Sequence, residues 1–388
     1  MKKISNKSLL LIAIILVGVA LCIFMLSFSI NALLITAGGL AVLLLFVYLL
    51  FRLSDTDCVA DYKLIRFTKK LKKLLGEAST VYIMGHKFSD LDSLGASYGL
   101  YYALRNKYNV KLVANKQTTL ARPLVDFLRF SDKDCNIYDY SEIADTVDEK
   151  SLVIVVDTHR QIIMDFPELY DKAGNIVIID HHRKSDDFRD RTAACYMKSS
   201  ASSACEIVTV MCELLKIRKL GIVPATALLS GIMLDTKNFV MNTNANTFRA
   251  ASFLRKNRAD PVLIKKMFSE SVDVCKRKYD IVSDVKLYES FAIAKTDTND
   301  QYTRIATAQA ADELLGINGV VAAFVMCPSD GKINISARSF GDVDVQKIMA
   351  KLGGGGHKTV SACQIKCGGF EKAEALLKKA IKEYIDER

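Results

Sequence analysis

The pattern of hydrophobic and polar positions divides the chain into an uncharged N-terminal stretch and a longer part in which apolar and polar runs alternate. Residues 8–51 contain no Asp, Glu, Lys or Arg. As one helix this stretch would measure about 65 Å, roughly twice the ~30 Å hydrocarbon core of a bilayer. Because it divides near residues 27–31, we predict two transmembrane helices within residues 1–53, joined by a tight turn.

Basic residues flank both ends of the uncharged stretch. Three lysines precede it, and Arg52 and a basic segment at 54–77 follow it. Since Lys and Arg mark cytoplasmic flanks, we expect a two-span protein of the cell membrane with its remaining domains in the cytoplasm. A cleaved signal peptide is less favoured, because its apolar region would be shorter. The linker at 54–77 is predicted to be an amphipathic helix that packs on the next domain, faces anionic lipid, or does both.

Short apolar runs between helical stretches characterise residues 78–262. Four of them lie at 81–84, 111–113, 152–156 and 176–179. Continuous apolar strands between helices are typical of a parallel sheet that is covered on both faces. Ligands of such sheets bind at the carboxyl ends of the strands. We therefore predict an α/β domain with its functional site at that edge.

Acidic residues and histidines follow four of the apolar runs. An HxxxDxD pattern, a lone aspartate, an Asp-His-His triplet and a last aspartate supply His86, Asp90, Asp92, Asp157, Asp180, His181, His182 and Asp235. Because buried carboxylates without partners are costly, their convergence calls for cations. Carboxylate and imidazole ligands favour manganese, iron, cobalt or magnesium, and their number exceeds the needs of one tetrahedral ion. The pattern predicts two metals, while His159 is assigned to a loop or supporting position.

The rest of the chain predicts a smaller mixed α/β domain at 291–388, joined to the first by a connecting helix at 263–290. Its strands are predicted near 291–294, 303–306, 319–326 and 332–336. A glycine run followed by histidine lets the backbone approach a ligand and present N–H groups to phosphate; it comprises Gly353, Gly354, Gly355, Gly356 and His357. Arg338 is a further candidate phosphate ligand, and the alternative is that it forms a surface salt bridge.

Composition narrows the class of protein. With 5 Pro, 20 Gly and 25% charged residues the chain is neither disordered nor collagen-like. Its 10 cysteines are scattered without a CxxC pair, which is typical of reduced thiols in an intracellular domain. The net charge of +10 suits an anionic partner. No basic stretch is interleaved with aromatic residues, so no stable nucleic-acid partner is expected.

The order of these motifs resembles that of the DHH phosphoesterase superfamily, named for the triplet seen here as Asp180-His181-His182. The resemblance covers about residues 78–388, and the glycine run with His357 is similar to that of the DHH-associated C-terminal domain. The segments at 84–87, 201–204 and 231–239 most resemble membrane-anchored cyclic-di-AMP phosphodiesterases of the GdpP type. The PAS-like and GGDEF domains usual in that type are expected to be missing, since only a short segment separates Arg52 from the first strand.

The resemblance implies manganese-dependent hydrolysis of cyclic di-AMP to linear pApA at the cytoplasmic face of the membrane. One manganese ion would be held by His86, Asp90 and Asp157, and a second by Asp92, Asp157, His181 and Asp235, so that Asp157 bridges the two. Asp180 would orient a ligating histidine from behind. The residues that would face the substrate are His182, Arg183, Ser202, Ser203, Arg338 and the glycine run with His357.

Several alternatives stay open. The group that protonates the leaving 3′-oxygen is His182, His357 or a metal-bound water. The second enzyme hypothesis is an oligoribonuclease or pAp phosphatase that acts on pApA or other short nucleotides. A nucleotide receptor without catalysis is the non-enzyme hypothesis, although every motif is intact. The membrane spans are also compatible with a homodimer.

Overall fold

The computed structural model describes residues 17–18, 39, 43–45, 61–185, 188, 191–217, 219–300 and 302–387. The two predicted membrane spans fall almost wholly outside these residues, so they remain a prediction. Within the described part of the chain, no helix is both long enough and apolar enough to cross a membrane. The chain divides into two compact units, residues 1–261 and 262–388.

The first unit is built on a six-stranded parallel sheet with the order β3-β2-β1-β4-β5-β6. Its strands are β1 (Val81–Met84), β2 (Val110–Val113), β3 (Ile137–Tyr138), β4 (Leu152–Val156), β5 (Asn175–Asp180) and β6 (Ala194–Met197). The central strands β1 and β4 are buried along their whole length, because helices cover both faces of the sheet. The predicted α/β class with a parallel sheet is confirmed. The strand order reverses between β1 and β4, which is where such sheets bind ligands.

Helices surround this sheet. They are α1 (Tyr62–Glu77), α2 (Leu91–Leu104), α3 (Arg122–Ser131), α4 (Tyr140–Ile143), α5 (Pro167–Lys172), α6 (Ala204–Leu214), α7 (Ile222–Asp235) and α8 (Ala245–Lys256). Helix α1 is the predicted amphipathic linker, and it packs its apolar face on β6 and α6. Asp61 caps its N-terminus and also accepts hydrogen bonds from Tyr196 and Lys198. Of the two roles expected for this helix, packing on the next domain is therefore observed.

Helices α2, α6 and α7 approach so closely that glycine is required at their contacts. A Cβ atom on Gly95 of α2 would lie 2.6 Å from the carbonyl oxygen of Ala227 on α7. A Cβ atom on Gly231 of α7 would lie 2.7 Å from Asp92 Cα and 2.4 Å from Cys205 Sγ. Since α2 carries Asp92 and α7 ends at Asp235, this packing sets the distance between the two carboxylates.

The second unit contains a mixed six-stranded sheet with the order β11-β12-β10-β9-β8-β7. Its strands are β7 (Lys286–Tyr288), β8 (Phe291–Lys295), β9 (Ala322–Ser329), β10 (Lys332–Ser339), β11 (Gly355–Gly356) and β12 (Val360–Ile365). The helices from residue 261 onward are α9 (Pro261–Met267), α10 (Val272–Ser283), α11 (Thr303–Leu314), α12 (Val345–Lys351) and α13 (Phe370–Asp386). Only the β8–β9 pair is parallel among the described strands, so the mixed α/β prediction is confirmed.

Two segments of this part differ from the sequence prediction. Residues 303–306, predicted as a strand, form the first turn of α11, whose buried residues recur every three or four positions. The segment at 263–290, predicted as one connecting helix, forms most of α9, then α10 and β7. It breaks because the Ser271 side chain accepts a hydrogen bond from Val274 N and starts a new helix.

We predict that Gly231→Ala lowers the free energy of unfolding by about 1–3 kcal/mol, because the added methyl group overpacks the α2–α6–α7 contact. Gly76→Ala is the matched control, since the Cβ position of this helical glycine has no neighbour within 4 Å. Alanine is the better helix former, so the control should be as stable as the parent or more so. Urea denaturation of both variants measures the difference, and equal midpoints for the two would contradict the packing argument.

Candidate metal centre

The polar residues that follow three neighbouring strands meet at one edge of the parallel sheet. β1 leads through Gly85 to His86, β4 leads into Asp157, and β5 ends at Asp180 with His181 next to it. Asp157 adopts a φ of 62°, a left-handed conformation that is uncommon outside glycine. Its N–H donates to the carbonyl of Ile179, which fixes this bend at the end of β4. Local strain of this kind is typical of functional positions.

The Asp157 carboxylate lies at the centre of the cluster. Its Oδ2 atom is 3.3 Å from His86 Nε2, and its Oδ1 atom is 3.2 Å from His181 Nε2. The side chain is 4% exposed, and among the described residues Oδ1 has no hydrogen-bond partner of good geometry. A buried carboxylate oxygen without such a partner is costly, and a cation would remove that cost.

Metal-ligand atoms group on both sides of Asp157. His86, Asp90 and Asp157 form one group whose ligand atoms all lie within 4.8 Å of one another. Asp92, His181 and Asp235 form another, in which His181 Nε2 is 3.8 Å from Asp92 Oδ2 and 3.3 Å from Asp235 Oδ2. The structure thus brings together all six predicted metal ligands, from three strand ends and two helices.

Backbone N–H groups hold two of these carboxylates in place. Asp90 caps α2 by accepting from the N–H groups of Asp92 and Ser93. The two oxygens of Asp92 accept from Ala204 N at 2.7 Å and Cys205 N at 2.8 Å, at the start of α6. Both aspartates are therefore bound to helix N-termini, where the helix dipole favours negative charge.

The pKa values reflect the crowding of acids. Burial raises the pKa of Asp92 to about 7 and that of Asp235 to about 9, and the neighbouring carboxylates add to the effect. Burial lowers the pKa of a histidine, but Asp157 and its neighbours outweigh this and raise His86 to about 9 and His181 to about 10. Protons therefore stabilise this cluster of like charges, and a divalent cation would displace them.

The donor set fits two divalent cations. The carboxylates of Asp90, Asp92, Asp157 and Asp235 carry four negative charges when ionised, which two divalent cations balance. Oxygen and imidazole nitrogen donors suit manganese, iron, cobalt or magnesium. The nearby Cys205 thiol is buried, which raises its pKa well above the usual range, so it remains a neutral neighbour of Asp92.

Asp180 lies behind the ligands and is fully buried. Its Oδ1 atom accepts from the N–H of His182 at 3.1 Å and from His182 Nδ1 at 2.8 Å. Burial would raise the pKa of Asp180, but hydrogen bonds from His159 and His182 hold it well below its usual range. The imidazole that this carboxylate orients is thus that of His182, next to the predicted ligand His181.

His159 proves to be part of the same network. Its Nε2 accepts a hydrogen bond from Ser185 N at 3.0 Å, so Nδ1 carries the ring proton and donates it to Asp180 Oδ2 at 2.5 Å. His159 therefore connects Asp180 to the far end of the 181–185 segment, which carries His181 and His182. The sequence signal for this role is its position two residues after Asp157, at the same sheet edge.

Ser202 and Ser203, expected to lie near a substrate phosphate, are buried instead. Ser203 Oγ caps α6 by accepting from Glu206 N, and Ser202 Oγ donates to Glu206 Oε2 at 2.6 Å. The N–H groups at the start of α6 are bonded to Asp92. This corrects the expected substrate contact, because both hydroxyls and the helix N-terminus already have protein partners.

Arg183 is exposed, directly after the Asp-His-His triplet. In the second unit, Arg338 Nε lies 3.3 Å from Asp312 Oδ1, so its guanidinium has an acidic neighbour. Binding of a phosphate by Arg338 stays a prediction. Gly355 and Gly356 pair with β12 as an edge strand, while Gly353 has a φ of 75° and His357 is exposed. Gly354 packs on β12, since its Cβ would lie 2.3 Å from the carbonyl oxygen of Ala362. Substrate binding by the glycine run and His357 stays a prediction.

Comparisons with known proteins agree with this geometry. The cyclic-di-AMP phosphodiesterase GdpP of Geobacillus thermodenitrificans is 40% identical over 323 residues, which cover 81% of this chain and 49% of that protein. The cyclic-di-AMP phosphodiesterase PdeA of Listeria monocytogenes is 36% identical over 324 residues, which cover 82% of this chain and 49% of that protein. The bifunctional oligoribonuclease and PAP phosphatase NrnA of Mycoplasma genitalium is 27% identical over 297 residues, which cover 74% of this chain and 88% of that protein. The chain spans about half the length of the first two relatives.

Family models and a solved structure define the domains. The crystal structure of an exopolyphosphatase-related protein from Bacteroides fragilis matches with a TM-score of 0.71 at 22% identity, covering 84% of this chain and 98% of that one, which shows a shared fold. Residues 80–232 match the model of the DHH family, N-terminal domain, and residues 288–387 match that of the DHHA1 domain. The chain therefore contains a DHH-family N-terminal domain followed by a DHHA1 domain.

Proposed function

We propose that this protein is a manganese-dependent phosphodiesterase that hydrolyses cyclic di-AMP to linear pApA. The observation that carries the proposal is the position of Asp157, whose two oxygens face His86 and His181 at 3.3 and 3.2 Å, in two separate groups of ligands. A carboxylate placed in this way can be shared by two cations. The relatives named as cyclic-di-AMP phosphodiesterases, at 36–40% identity, support the choice of substrate.

Two divalent cations would supply Lewis-acid stabilisation of the charge that develops in an in-line displacement at phosphorus. Side chains of the protein itself would contact the substrate phosphate beside these cations. His182 has its Nδ1 bonded to Asp180, so Nε2 is the nitrogen left to exchange a proton with the substrate. Its side chain is 51% exposed, as a group that meets substrate must be. Arg183 beside it supplies positive charge for a phosphodiester.

We place this activity at the cytoplasmic face of the cell membrane. The uncharged residues 8–51 with basic residues on both flanks support this location. The exposed face of α1, the first described helix after this stretch, carries Lys63, Arg66 and Lys69. Such cations would be attracted by anionic headgroups if the helix lies near the bilayer.

The second candidate is an oligoribonuclease or pAp phosphatase. One observation favours it: the alignment with NrnA of Mycoplasma genitalium covers 88% of that protein, against 49% for the GdpP relative. The higher identity of the cyclic-di-AMP phosphodiesterases, 40% against 27%, argues for the first candidate.

Turnover of cyclic di-AMP, cyclic di-GMP and pApA with manganese separates the candidates. We expect cyclic di-AMP to be hydrolysed faster than the other two, and chelation of the metal to abolish the reaction because the carboxylate cluster then lacks its cations. Faster cleavage of pApA than of cyclic di-AMP would instead support the second candidate.

The Asp157→Asn variant should lose hydrolysis by more than about 100-fold. Replacing a residue that only supports a metal ligand typically lowers metal affinity or activity by about 10–100-fold. The loss should be larger for Asp157, because its carboxylate faces both ligand groups directly. The control is Asp148→Asn, at the opposite end of β4, where the carboxylate accepts from Lys150 N and Ser151 Oγ. Steady-state kinetics and circular dichroism of both variants provide the measurement. Activity of Asp157→Asn close to that of the control would remove Asp157 from the bridging position.

His159→Ala should lower kcat by about 10–100-fold at little cost in KM, because the 181–185 segment loses its link to Asp180. His159→Asn should restore part of kcat, since an amide N–H can still donate to Asp180. Melting temperatures serve as the control for folding. If the two variants show the same kcat, the hydrogen bond to Asp180 does not position the site.

A further inference from the structure

A cavity of about 250 Å³ lies in the first unit, beside helix α3 and the edge strand β3. One wall is apolar and consists of Val125, Leu128 and Ile137. None of the residues that line it belongs to the metal centre. Ligand pockets usually measure about 300–1,000 Å³, so this volume suits a small ligand. We call it the α3–β3 cavity.

The charges around the α3–β3 cavity are mainly positive. Lys116, Arg129 and Lys133 line it, against a single carboxylate from Asp132. Lys116 pairs with Glu142 at 2.9 Å. For Arg129 and Lys133, no ion pair is formed within the described part of the chain. Two cations therefore remain available at the rim of the cavity.

The one carboxylate of the lining does not neutralise them. Asp132 Oδ2 accepts from Tyr98 Oη at 2.6 Å and from Arg105 Nη1 at 2.5 Å, on the side of helix α2. Its charge is thus already paired inside the unit. Burial raises the pKa of the Cys135 thiol to about 12, with a contribution from Asp132, so this part of the wall stays neutral. An anion in the cavity would meet two unpaired cations and no unpaired acid.

We propose that the α3–β3 cavity binds a small organic phosphate monoester, with AMP as the probe. The phosphate would lie between Arg129 and Lys133, since a guanidinium binds phosphate through two parallel hydrogen bonds. The organic part would cover the apolar wall of Val125, Leu128 and Ile137. Inorganic phosphate would use the same cations without contacting that wall, so an ester should bind more tightly. This site is independent of the proposed hydrolysis, because it shares no residue with the metal centre.

Titration of AMP into the full-length protein tests the proposal, with adenosine and inorganic phosphate as reference ligands. The test variant is Arg129→Gln/Lys133→Gln. The matched control is Lys107→Gln/Lys150→Gln, which removes the same charge from two exposed lysines away from the cavity. Since all four side chains are exposed, the variants should fold, and melting temperatures verify this.

We expect AMP to bind at least tenfold more weakly to the test variant and within twofold of the parent in the control. Adenosine should not bind measurably, and inorganic phosphate should bind more weakly than AMP. Equal AMP affinities in the test variant and the control would overturn the proposal. Loss of AMP binding in Asp157→Asn, with the test variant unaffected, would assign the binding to the metal centre and would also overturn it.

Discussion

The buried carboxylate of Asp157 is the constraint on which the candidate metal centre depends. It lies at the end of β4 with imidazoles on two sides, and one of its oxygens lacks a hydrogen-bond partner of good geometry among the described residues. Burial raises the pKa of an isolated carboxylate, yet that of Asp157 is lowered, because His86 and His181 compensate for the burial. Its neighbours Asp92 and Asp235 show the opposite shift. Cations shared through Asp157 would give its oxygen a partner and would also stabilise the ionised carboxylates of Asp92 and Asp235.

The helices around the sheet are arranged to bring acids to this point. Asp92 is held by two N–H groups of α6, and Gly231 lets α7 pass close enough for Asp235 to reach His181. Asp157 is positioned by the end of a strand. Asp92 is positioned instead by a helix N-terminus, and Asp235 by the close helix contact at Gly231. Stability and ligand geometry are coupled here, since a side chain on Gly231 would displace the helix that carries a ligand.

The sequence predicted those parts of the fold and the site that depend on local signals. Apolar strands that end in Asp157 or in the Asp180-His181-His182 triplet are visible in the sequence, because parallel sheets place such ends at one edge. The long-range partners of Glu206 and Arg338 are not visible. Glu206 also accepts a hydrogen bond from Thr247 on a distant helix, and Arg338 pairs with Asp312 across a strand and a helix. Such pairs arise only from tertiary packing.

The engagement of α6 also limits how a substrate can be held. The first N–H groups of α6, which could otherwise bind an anion, already bind the carboxylate of Asp92. Under the proposed function, a phosphodiester at this sheet edge would therefore rely on cations bound by the carboxylate cluster and on exposed groups such as His182 and Arg183. His182 is suited to this role because Asp180 fixes one ring nitrogen and leaves the other for the substrate. The serines near α6 contribute by keeping Asp92 in place, since Ser203 caps the helix whose N–H groups bind that carboxylate.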